Sequence, residues 1–406
     1  MIKIGKPRKY EKENIVYLSS YIEDEYQKIK EEIHYSVPIE YGDFFTEDVA
    51  DAFLVGMLLP AVRYNEDIYV DAAISEKLYY NITNSVLYTL SLVWNNRIKL
   101  HVKETLVPKY DSFAVGCGCS LGVDSFAAML QHINGNKNTP SYEITHLTYF
   151  NVGAMGYTNL DKAKESYEKD LQMVMEYAKK INKPVVCLES NFSIMFKEFD
   201  FDQSGDIRNF SAALSLQKLF KKYLYGSSYP IKDFRFEQSQ TGYYETLLAP
   251  ILSTENCEFI IANPDMSRIE KTKYILDNED VRKNLYVCWK EIIVNKNPNS
   301  EIAKIKDNYL NCSRCDKCLR TLLAIDIFGK LDKYTSIFDI EYYKQVKEKY
   351  IAKVIYQRKG NAFYEDLFHL MKDKKYKIPT KSIILVFLYK TKLMSIYSRL
   401  KRILKK

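Results

Sequence analysis

From about residue 109 onwards, short apolar segments alternate with longer segments whose apolar residues recur at helical spacing. The short segments are SFAVGCGC, EITHLTYFNVG, PVVCLES, LYGSS and CEFIIANP. This alternation predicts an α/β fold, with a parallel sheet covered by helices on both faces. Ligands of such sheets bind beyond the carboxyl ends of the strands, and the segment CGCSLGVDS lies at such an end.

The composition excludes a disordered chain, because 47% of the 406 residues are hydrophobic and 14% are aromatic. This length favours two or three domains. The net charge of +7 is concentrated at the end of the chain. Residues 372–406 hold twelve Lys or Arg and one Asp, a charge of +11, which leaves −4 for the rest. A uniformly basic nucleic-acid-binding surface is therefore not indicated.

The first residues, MIKIGKPRKYEKEN, contain no apolar signal segment. The apolar runs FLVGMLLPAV and IILVFLY are too short to cross a bilayer. The eight cysteines are then expected to be reduced thiols, metal ligands or catalysts rather than disulfides. We expect a cytoplasmic protein.

Three regions are expected along the chain. Residues 1–107 mix strand and helix patterns and predict an N-terminal α+β domain, whose long apolar faces suit a packed core or a homo-oligomer interface. Residues 108–330 hold the strand–helix alternation and all the motifs described below. Residues 331–406 predict a basic helical C-terminal region.

The turn SLGVDS, from Ser120 to Ser125, lies between a predicted strand and a predicted helix. Gly122 allows close approach to the backbone, and the first N–H groups of a helix, together with its dipole, favour an anion. The spacing fits neither a Walker loop nor a dinucleotide fingerprint. We interpret the turn as a phosphate-binding loop, against the alternative of a small-residue turn with capping serines.

A second motif, NCSRCDKC, places Cys312, Cys315 and Cys318 at C-x2-C-x2-C spacing. Three thiolates at this spacing can wrap one metal ion, and tetrahedral zinc needs a fourth ligand. Cys288 is the best candidate because it lies nearby in sequence, whereas Cys257 lies in an apolar strand. The alternatives are an iron–sulfur cluster or unligated thiols.

The loop SLGVDS resembles S-G-G-x-D-S, the signature of the PP-loop ATP pyrophosphatase superfamily, whose nucleotide-binding domains have the HUP-like α/β fold. It departs from that signature at Leu121, where the family has glycine. Together with the cysteine motif and the stretches IRNFSAALSLQKLFKKYLYGSS and KCLRT, the chain is similar to the cyano-deazaguanine synthase branch (the queuosine pathway). The resemblance covers residues 109–330, and the chain looks like longer members with an added N-terminal domain.

The resemblance implies an ATP-dependent enzyme that adenylates a carbonyl or carboxylate, releases pyrophosphate and lets a nitrogen nucleophile displace AMP. Asp124 would orient the loop or bind Mg²⁺, and Arg268 and Lys271 would clamp pyrophosphate, unless they belong to a solvated helix face. The nucleotide-binding residues implied are Ser120, Leu121, Gly122, Val123, Asp124, Ser125, Asn151, Gly153 and Arg208.

Three other functions stay open. The first is sulfur transfer with Cys119 as the carrier, although Cys117, Cys119 and Cys187 are also expected as packed core residues. The second is tRNA modification, and the third is a nucleotide-binding module without turnover.

The expected partner is a small molecule, and the basic tail could contact RNA or an anionic membrane. We expect one apolar face of the tail to dock on its own protein and the other to be basic and solvated. The apolar positions are Val386, Tyr389, Leu393, Ile396, Leu400 and Ile403.

Overall fold

The structure is a computed structural model that describes residues 1–135, 137–156, 160–305 and 308–391. Within it the chain forms two compact units. The first comprises Met1–Ser120 and Ala127–Asp265, and the second comprises Leu121–Phe126 and Met266–Lys406. The three regions expected from the sequence are consecutive stretches of the chain, whereas these units group residues that lie close together in space, so the three regions stay a prediction.

The secondary structure of the described residues is mixed. The strands are β1 Ile2–Ile4, β2 Arg8–Lys12, β3 Ile15–Asp24, β4 Ile29–Pro38, β5 Ile68–Ser75, β6 Leu100–Leu106, β7 Ala114–Gly118, β8 His146–Asn151, β9 Val185–Ser190, β10 Phe220–Gly226 and β11 Glu258–Ala262. The α-helices are α1 Asp51–Tyr64, α2 Glu76–Asn81, α3 Leu87–Trp94, α4 Val123–His132, α5 Leu160–Lys180, α6 Gly205–Ser215, α7 Glu245–Ile251, α8 Arg268–Ile275, α9 Glu279–Asn284, α10 Lys290–Lys296, α11 Asp316–Ile327, α12 Ile340–Gln357, α13 Ala362–Asp373 and α14 Thr380–Lys390.

All of these strands belong to the first unit and form one sheet, in the order β11-β10-β7-β8-β9-β4-β3-β1-β5-β6, with β2 paired to β3. The block β11-β10-β7-β8-β9 is parallel throughout. Its strands are short and largely buried, as strands covered on both faces must be. The prediction of an α/β fold with a mostly parallel sheet is therefore confirmed.

The strand order defines where a ligand could bind. Within the parallel block the chain starts at β7, moves outwards through β8 and β9, and then returns to the other side of β7 at β10. The sheet therefore changes direction between β7 and β10, and loops that follow these two strands border a crevice at such a point. The loop that begins at Ser120 follows β7.

The N-terminal strands continue the same sheet. Strand β4 pairs antiparallel with β9, through Tyr35 opposite Ser190 and Ser36 opposite Glu189. Hydrogen bonds extend this junction, because the amide of His34 donates to Asn191 Oδ1 at 2.8 Å and Ser190 Oγ donates to the His34 carbonyl at 2.6 Å. Sequence patterns did not reveal this pairing, because it joins residues about 155 positions apart in the chain.

The second unit is mainly helical. Its core includes Leu323, Ile351 and Leu367, contributed by α11, α12 and α13. Helix α14 packs on α12, with Ser382 and Leu385 buried and Val386 and Tyr389 half-buried. Leu393, Ile396, Leu400 and Ile403 of the expected apolar face lie outside the described residues. Among the described residues, no helix combines the length and apolar character needed to cross a membrane.

The prediction that the opposite side of this helix is basic and solvated is wrong for part of α14. Its exposed residues include Ile383, Ile384 and Phe387 as well as Lys390. The reason is geometric, since the short run SIILVFL is apolar on every side and α12 covers only one of them.

A buried carboxylate connects three elements of the first unit. Asp51, at the start of α1, is fully buried and accepts hydrogen bonds from the amide and hydroxyl of Ser75 and from Gln217 Nε2 at 2.8 Å. Gln217 Oε1 in turn accepts from the Thr254 hydroxyl at 2.6 Å. Burial raises the pKa of Asp51 to about 6, although its hydrogen bonds act in the opposite direction.

Asp51→Asn is expected to change how stability depends on pH. The folded-state pKa of Asp51 lies above its ordinary value, so the folded protein binds the proton more tightly than the unfolded chain. Its contribution to stability is full below about pH 4 and is lost as the pH rises to about 6, a change of about 3 kcal/mol. The variant should therefore gain stability relative to the wild type between pH 4 and pH 7, measured by urea unfolding.

Asp43→Asn is the matched control, because the Asp43 side chain is fully exposed. Its stability difference from the wild type should be nearly constant over the same range. A constant difference for Asp51→Asn as well would contradict the titration of Asp51.

Candidate metal centre and anion-binding site

The phosphate-loop candidate joins β7 to α4, and α4 begins at Val123 as the sequence predicted. Leu121 has φ of 55°, in the left-handed region that favours glycine. The backbone therefore has a conformation that suits glycine, with a leucine in its place. Such a conformation costs a leucine about 1–2 kcal/mol.

The second unit holds Leu121 in this conformation. Its side chain is buried, and its carbonyl accepts a hydrogen bond from the amide of Tyr286 at 2.9 Å. Burial of a leucine side chain is worth about 1.5–3 kcal/mol, enough to offset the backbone strain. Packing of the Leu121 side chain and the hydrogen bond to its carbonyl thus hold the turn in its left-handed conformation.

Asp124 in the first turn of α4 lies next to Arg268 and Lys271. Its carboxylate accepts from Arg268 Nη1, and Lys271 Nζ lies 3.4 Å from Oδ1. A capping box between Ser267 and Glu270 starts α8 and places both cations on one side of that helix. Burial opposes ionisation of Asp124, but the charges of Arg268 and Lys271 outweigh it and keep its pKa below the ordinary value.

The two cations differ in accessibility. The Lys271 side chain has no exposed surface, so it acts on Asp124 rather than facing solvent. Arg268 lines a small cleft, and its Nη2 is buried without a hydrogen-bond partner among the described residues. Of the two expected partners of a phosphate, Arg268 is therefore the one placed to meet it.

Arg320 of α11 also lines this cleft, and the sequence reasoning missed it as a site residue. Its guanidinium stacks over Phe363 at 4.0 Å, and its Nε is buried without a hydrogen-bond partner among the described residues. Thr272 and Thr321 line the same cleft. The cleft holds about 10 Å³, room for about one water, and the two guanidinium groups with unused donors line it beside apolar side chains. The signal in the sequence was an arginine within the otherwise apolar stretch LRTLLAI.

Asn151, Gly153 and Arg208 lie close together in the first unit. Gly153 has φ of 94°, and a Cβ there would lie 2.7 Å from Arg208 Nη1, so glycine is required. Arg208 is buried over the ring of Phe196 and donates to the carbonyl of Val152 at 3.2 Å. Arg208 thus fixes the backbone that follows β8, next to Asn151, the last residue of that strand.

Two buried carboxylates near the carboxyl end of β10 were also missed. Asp206 Oδ1 accepts from the hydroxyl of Tyr225 at 2.9 Å, and burial raises its pKa. Glu245 Oε1 accepts from the amide of Ser228 at 2.5 Å. Each is an acidic residue in the first turn of a helix, in DIRNFSAAL and ETLLAPI, where acidic residues are common, so the sequence carried no distinctive signal.

The cysteines of the first unit are packed to different degrees. Cys117, Cys119 and Cys257 are buried, and burial raises the pKa of the Cys117 thiol. The prediction that Cys187 is a core residue is wrong, because strand β9 leaves it half-buried, with a pKa raised by burial to about 11. The structure places Cys119 next to Thr148, whose carbonyl accepts from the Cys119 amide at 2.9 Å.

The four predicted metal-ligand candidates, Cys288, Cys312, Cys315 and Cys318, come together in the second unit. Their Sγ atoms all lie within 4.8 Å of one another. Cys312 Sγ is 3.9 Å and Cys315 Sγ is 3.3 Å from Cys318 Sγ. A tetrahedral ion with Zn–S bonds of about 2.3 Å needs sulfurs roughly 3.8 Å apart. The cluster could therefore hold one zinc ion.

The backbone around the cluster is arranged for thiolates. Ser313 has φ of 58°, which curls the chain so that the amides of Arg314 and Cys315 donate to Cys312 Sγ at 3.4 and 3.3 Å. The amide of Cys318 donates to Cys315 Sγ at 3.4 Å at the start of α11. Such N–H···S bonds orient thiolate ligands. The close sulfurs fit a single ion better than an iron–sulfur cluster, in which the ligands bind separate irons.

Comparisons with known proteins do not add to this geometry. No protein family model, no curated protein and no solved structure matches the chain.

Leu121→Gly is expected to be more stable than Leu121→Ala. Both variants lose the buried side chain, but only alanine keeps the penalty of a positive φ. We expect a difference of about 1 kcal/mol in the free energy of unfolding, measured with urea.

Leu322 in α11 is the matched control, since it is equally buried but lies in a regular helix. There the order should reverse, with the alanine variant more stable by about 1 kcal/mol. The same order at both positions would contradict the left-handed loop.

Zinc content tests the cysteine cluster. The purified protein should hold about one zinc ion per chain by elemental analysis, because four thiolates form a closed site. Cys315→Ser should lose most of this zinc and unfold at a lower temperature. Cys187→Ser, outside the cluster, should retain it. A wild-type protein without zinc but with iron and visible absorbance would contradict the prediction.

Proposed function

We propose that the protein is an ATP-dependent enzyme that adenylates a carbonyl or carboxylate oxygen of a small molecule and releases pyrophosphate. A nitrogen nucleophile then displaces AMP. The observation that carries the proposal is the Asp124–Arg268–Lys271 group at the start of α4, in a loop with a left-handed residue at position 121.

The position of the loop in the sheet supports a nucleotide ligand. In the chain it connects β7 to α4, and the loops that follow parallel strands are the ones that bind ligands in such sheets. A phosphate at this place would meet the N-terminal end of α4, whose dipole favours negative charge.

The surrounding charge supports a phosphate in particular. Arg268 is at the first position of α8, where the helix dipole disfavours a cation. Its Nη1 donates to Asp124, whereas its Nη2 has no hydrogen-bond partner among the described residues. Arg320 lines the same cleft. The cleft holds only about 10 Å³, so it must widen before a pyrophosphate group can accept hydrogen bonds from both guanidinium groups.

In the proposed reaction the substrate oxygen attacks the α-phosphorus of ATP, and the bond to the oxygen that bridges to the β-phosphate breaks. Arg268 and Arg320 stabilise the charge that collects on the leaving pyrophosphate. Asp124, with Lys271 behind it, holds Arg268 in place. The nitrogen nucleophile then attacks the activated carbon, and AMP leaves.

The proposal assigns Mg²⁺ to the phosphate oxygens of ATP. Asp124 already has two cationic partners, so it suits the role of an anchor better than that of a magnesium ligand. Zinc in the four-cysteine cluster has a structural role, since four thiolates leave no position for water or substrate.

The other functions considered from the sequence find less support. Sulfur transfer by Cys119 would need an accessible thiolate, whereas Cys119 is buried. A module without turnover would follow from a loop that Leu121 closes to phosphate, and the left-handed backbone of Leu121, which glycine would adopt without strain, favours a turn that stays open. The tRNA alternative depends on the basic tail, and six of the twelve Lys and Arg of that tail lie outside the described residues.

Arg268→Met should weaken binding of ATP and of pyrophosphate about tenfold to a hundredfold. The loss follows from removing a buried donor to a charged ligand, worth about 1.5–3 kcal/mol. Isothermal titration with ATP and with pyrophosphate measures it. ATP–pyrophosphate exchange in the presence of mixed carboxylic acids then tests adenylation itself.

Arg282→Met is the matched control, because Arg282 lies on α9 and pairs with Asp277, away from the Asp124 group. It should bind both ligands as the wild type does. A wild-type protein that binds neither ligand would refute the proposal, as would equal binding by the Arg268→Met variant.

A further inference from the structure

Among the described residues, helix α14 contacts the rest of the second unit through one side. Ser382 Oγ donates to the carbonyl of Glu348 at 2.8 Å, and Lys381 pairs with the Glu348 carboxylate at 2.5 Å. Further along, the ring of Tyr389 lies 5.4 Å from that of Tyr356. These contacts with α12 set the rotation of α14 and decide which residues point outwards.

The outward side of α14 is apolar. Ile383, Ile384 and Phe387 are 58%, 52% and 61% exposed, and they lie within one turn of each other. Single exposed apolar residues are common on protein surfaces, but three adjacent large ones on one helix face form a patch that water solvates poorly.

The chain on both sides of the patch carries positive charge. Residues 374–391 contain five lysines and no acidic residue. Lys390 lies at the end of α14, next to the patch, and Lys374, Lys375 and Lys377 precede the helix and are exposed. Among the described residues these four lysines form no ion pair. Residues 392–406 add six Lys or Arg, again without an acidic residue.

We propose that the face formed by Ile383, Ile384 and Phe387, with the lysines around it, docks on the surface of an anionic lipid membrane. The chemistry of a membrane interface matches both features, because acyl chains accept the aliphatic and aromatic side chains while anionic headgroups attract the lysines. Since α14 has only eleven residues, it would lie in the interface rather than cross the bilayer.

Other occupants match only one of the two features. RNA would be attracted by the lysines, but it offers no apolar medium for Ile383 and Ile384. A second copy of this chain on a two-fold axis would bury the apolar residues but would bring the same lysines against each other. This proposal is independent of the ATP chemistry, because α14 contributes no residue to the Asp124 group or to the cleft.

Sedimentation of the full-length protein with vesicles tests the proposal. The protein should bind vesicles of 70% phosphatidylcholine and 30% phosphatidylserine and should bind pure phosphatidylcholine weakly. Binding should decrease in 0.5 M salt, because screening removes the attraction of the lysines. The double variant Ile384→Gln/Phe387→Gln should reduce binding to the anionic vesicles at least about tenfold.

The matched control is Tyr88→Gln/Leu92→Gln, which removes two exposed apolar residues one turn apart on α3. It should bind anionic vesicles as the wild type does, and all three proteins should have the same far-UV circular dichroism spectrum and the same unfolding midpoint in urea, which shows that they are folded. Equal vesicle binding by the wild type and the α14 variant overturns the proposal.

Two further measurements separate the other occupants. If the α14 variant instead loses a concentration-dependent dimer seen by light scattering, the face is an interface between copies and the proposal is overturned. If the α14 variant binds vesicles as the wild type does and only removal of residues 392–406 abolishes binding, that segment binds the lipid and the proposal is overturned. Binding that the truncated protein retains and that Ile384→Gln/Phe387→Gln removes supports it.

Discussion

The carboxylate of Asp124 is the counter-charge on which the organisation of the candidate site depends. Lys271 is fully buried and Arg268 nearly so, and two such cations side by side would repel each other without an anion between them. Asp124 supplies that anion from the first turn of α4, and its carboxylate accepts hydrogen bonds from both Arg268 and Lys271. The start of α4, the start of α8 and the loop before α4 are therefore fixed relative to each other within the second unit.

The balance of charge around Asp124 also explains why the cleft suits an anion. One carboxylate faces Arg268 and Lys271, and Arg320 lies in the same cleft with Phe363 as its stacking partner. Helix α11 begins at the cysteine cluster, where Cys315 caps it, and it carries Arg320 in its second turn. The metal candidate and the anion candidate thus share one short helix, so whatever fixes the cysteines also fixes the direction of Arg320.

The features that were predictable from the sequence are those carried by local spacing. Cys312, Cys315 and Cys318 are close in the chain, and the turn SLGVDS shows its small residues directly. Other features depend on contacts between distant residues. The pairing of β4 with β9, the stacking of Arg320 on Phe363 and the exposure of Phe387 each depend on which surfaces meet after folding. The left-handed backbone of Leu121 could not be predicted for a related reason, because leucine rarely adopts positive φ. Burial of its side chain and the hydrogen bond from the Tyr286 amide, which both depend on the folded structure, stabilise this conformation.

The junction of β4 and β9 has a consequence for how the first unit avoids self-association. Without β4, strand β9 would be the open edge of a parallel sheet and would present unpaired N–H and C=O groups along its length. Strand β4 pairs with the carboxyl-terminal part of that edge, at Glu189 and Ser190, and the strands beyond it move the end of the sheet to β6. The N-terminal strands therefore protect part of the edge of the parallel block from pairing with another chain.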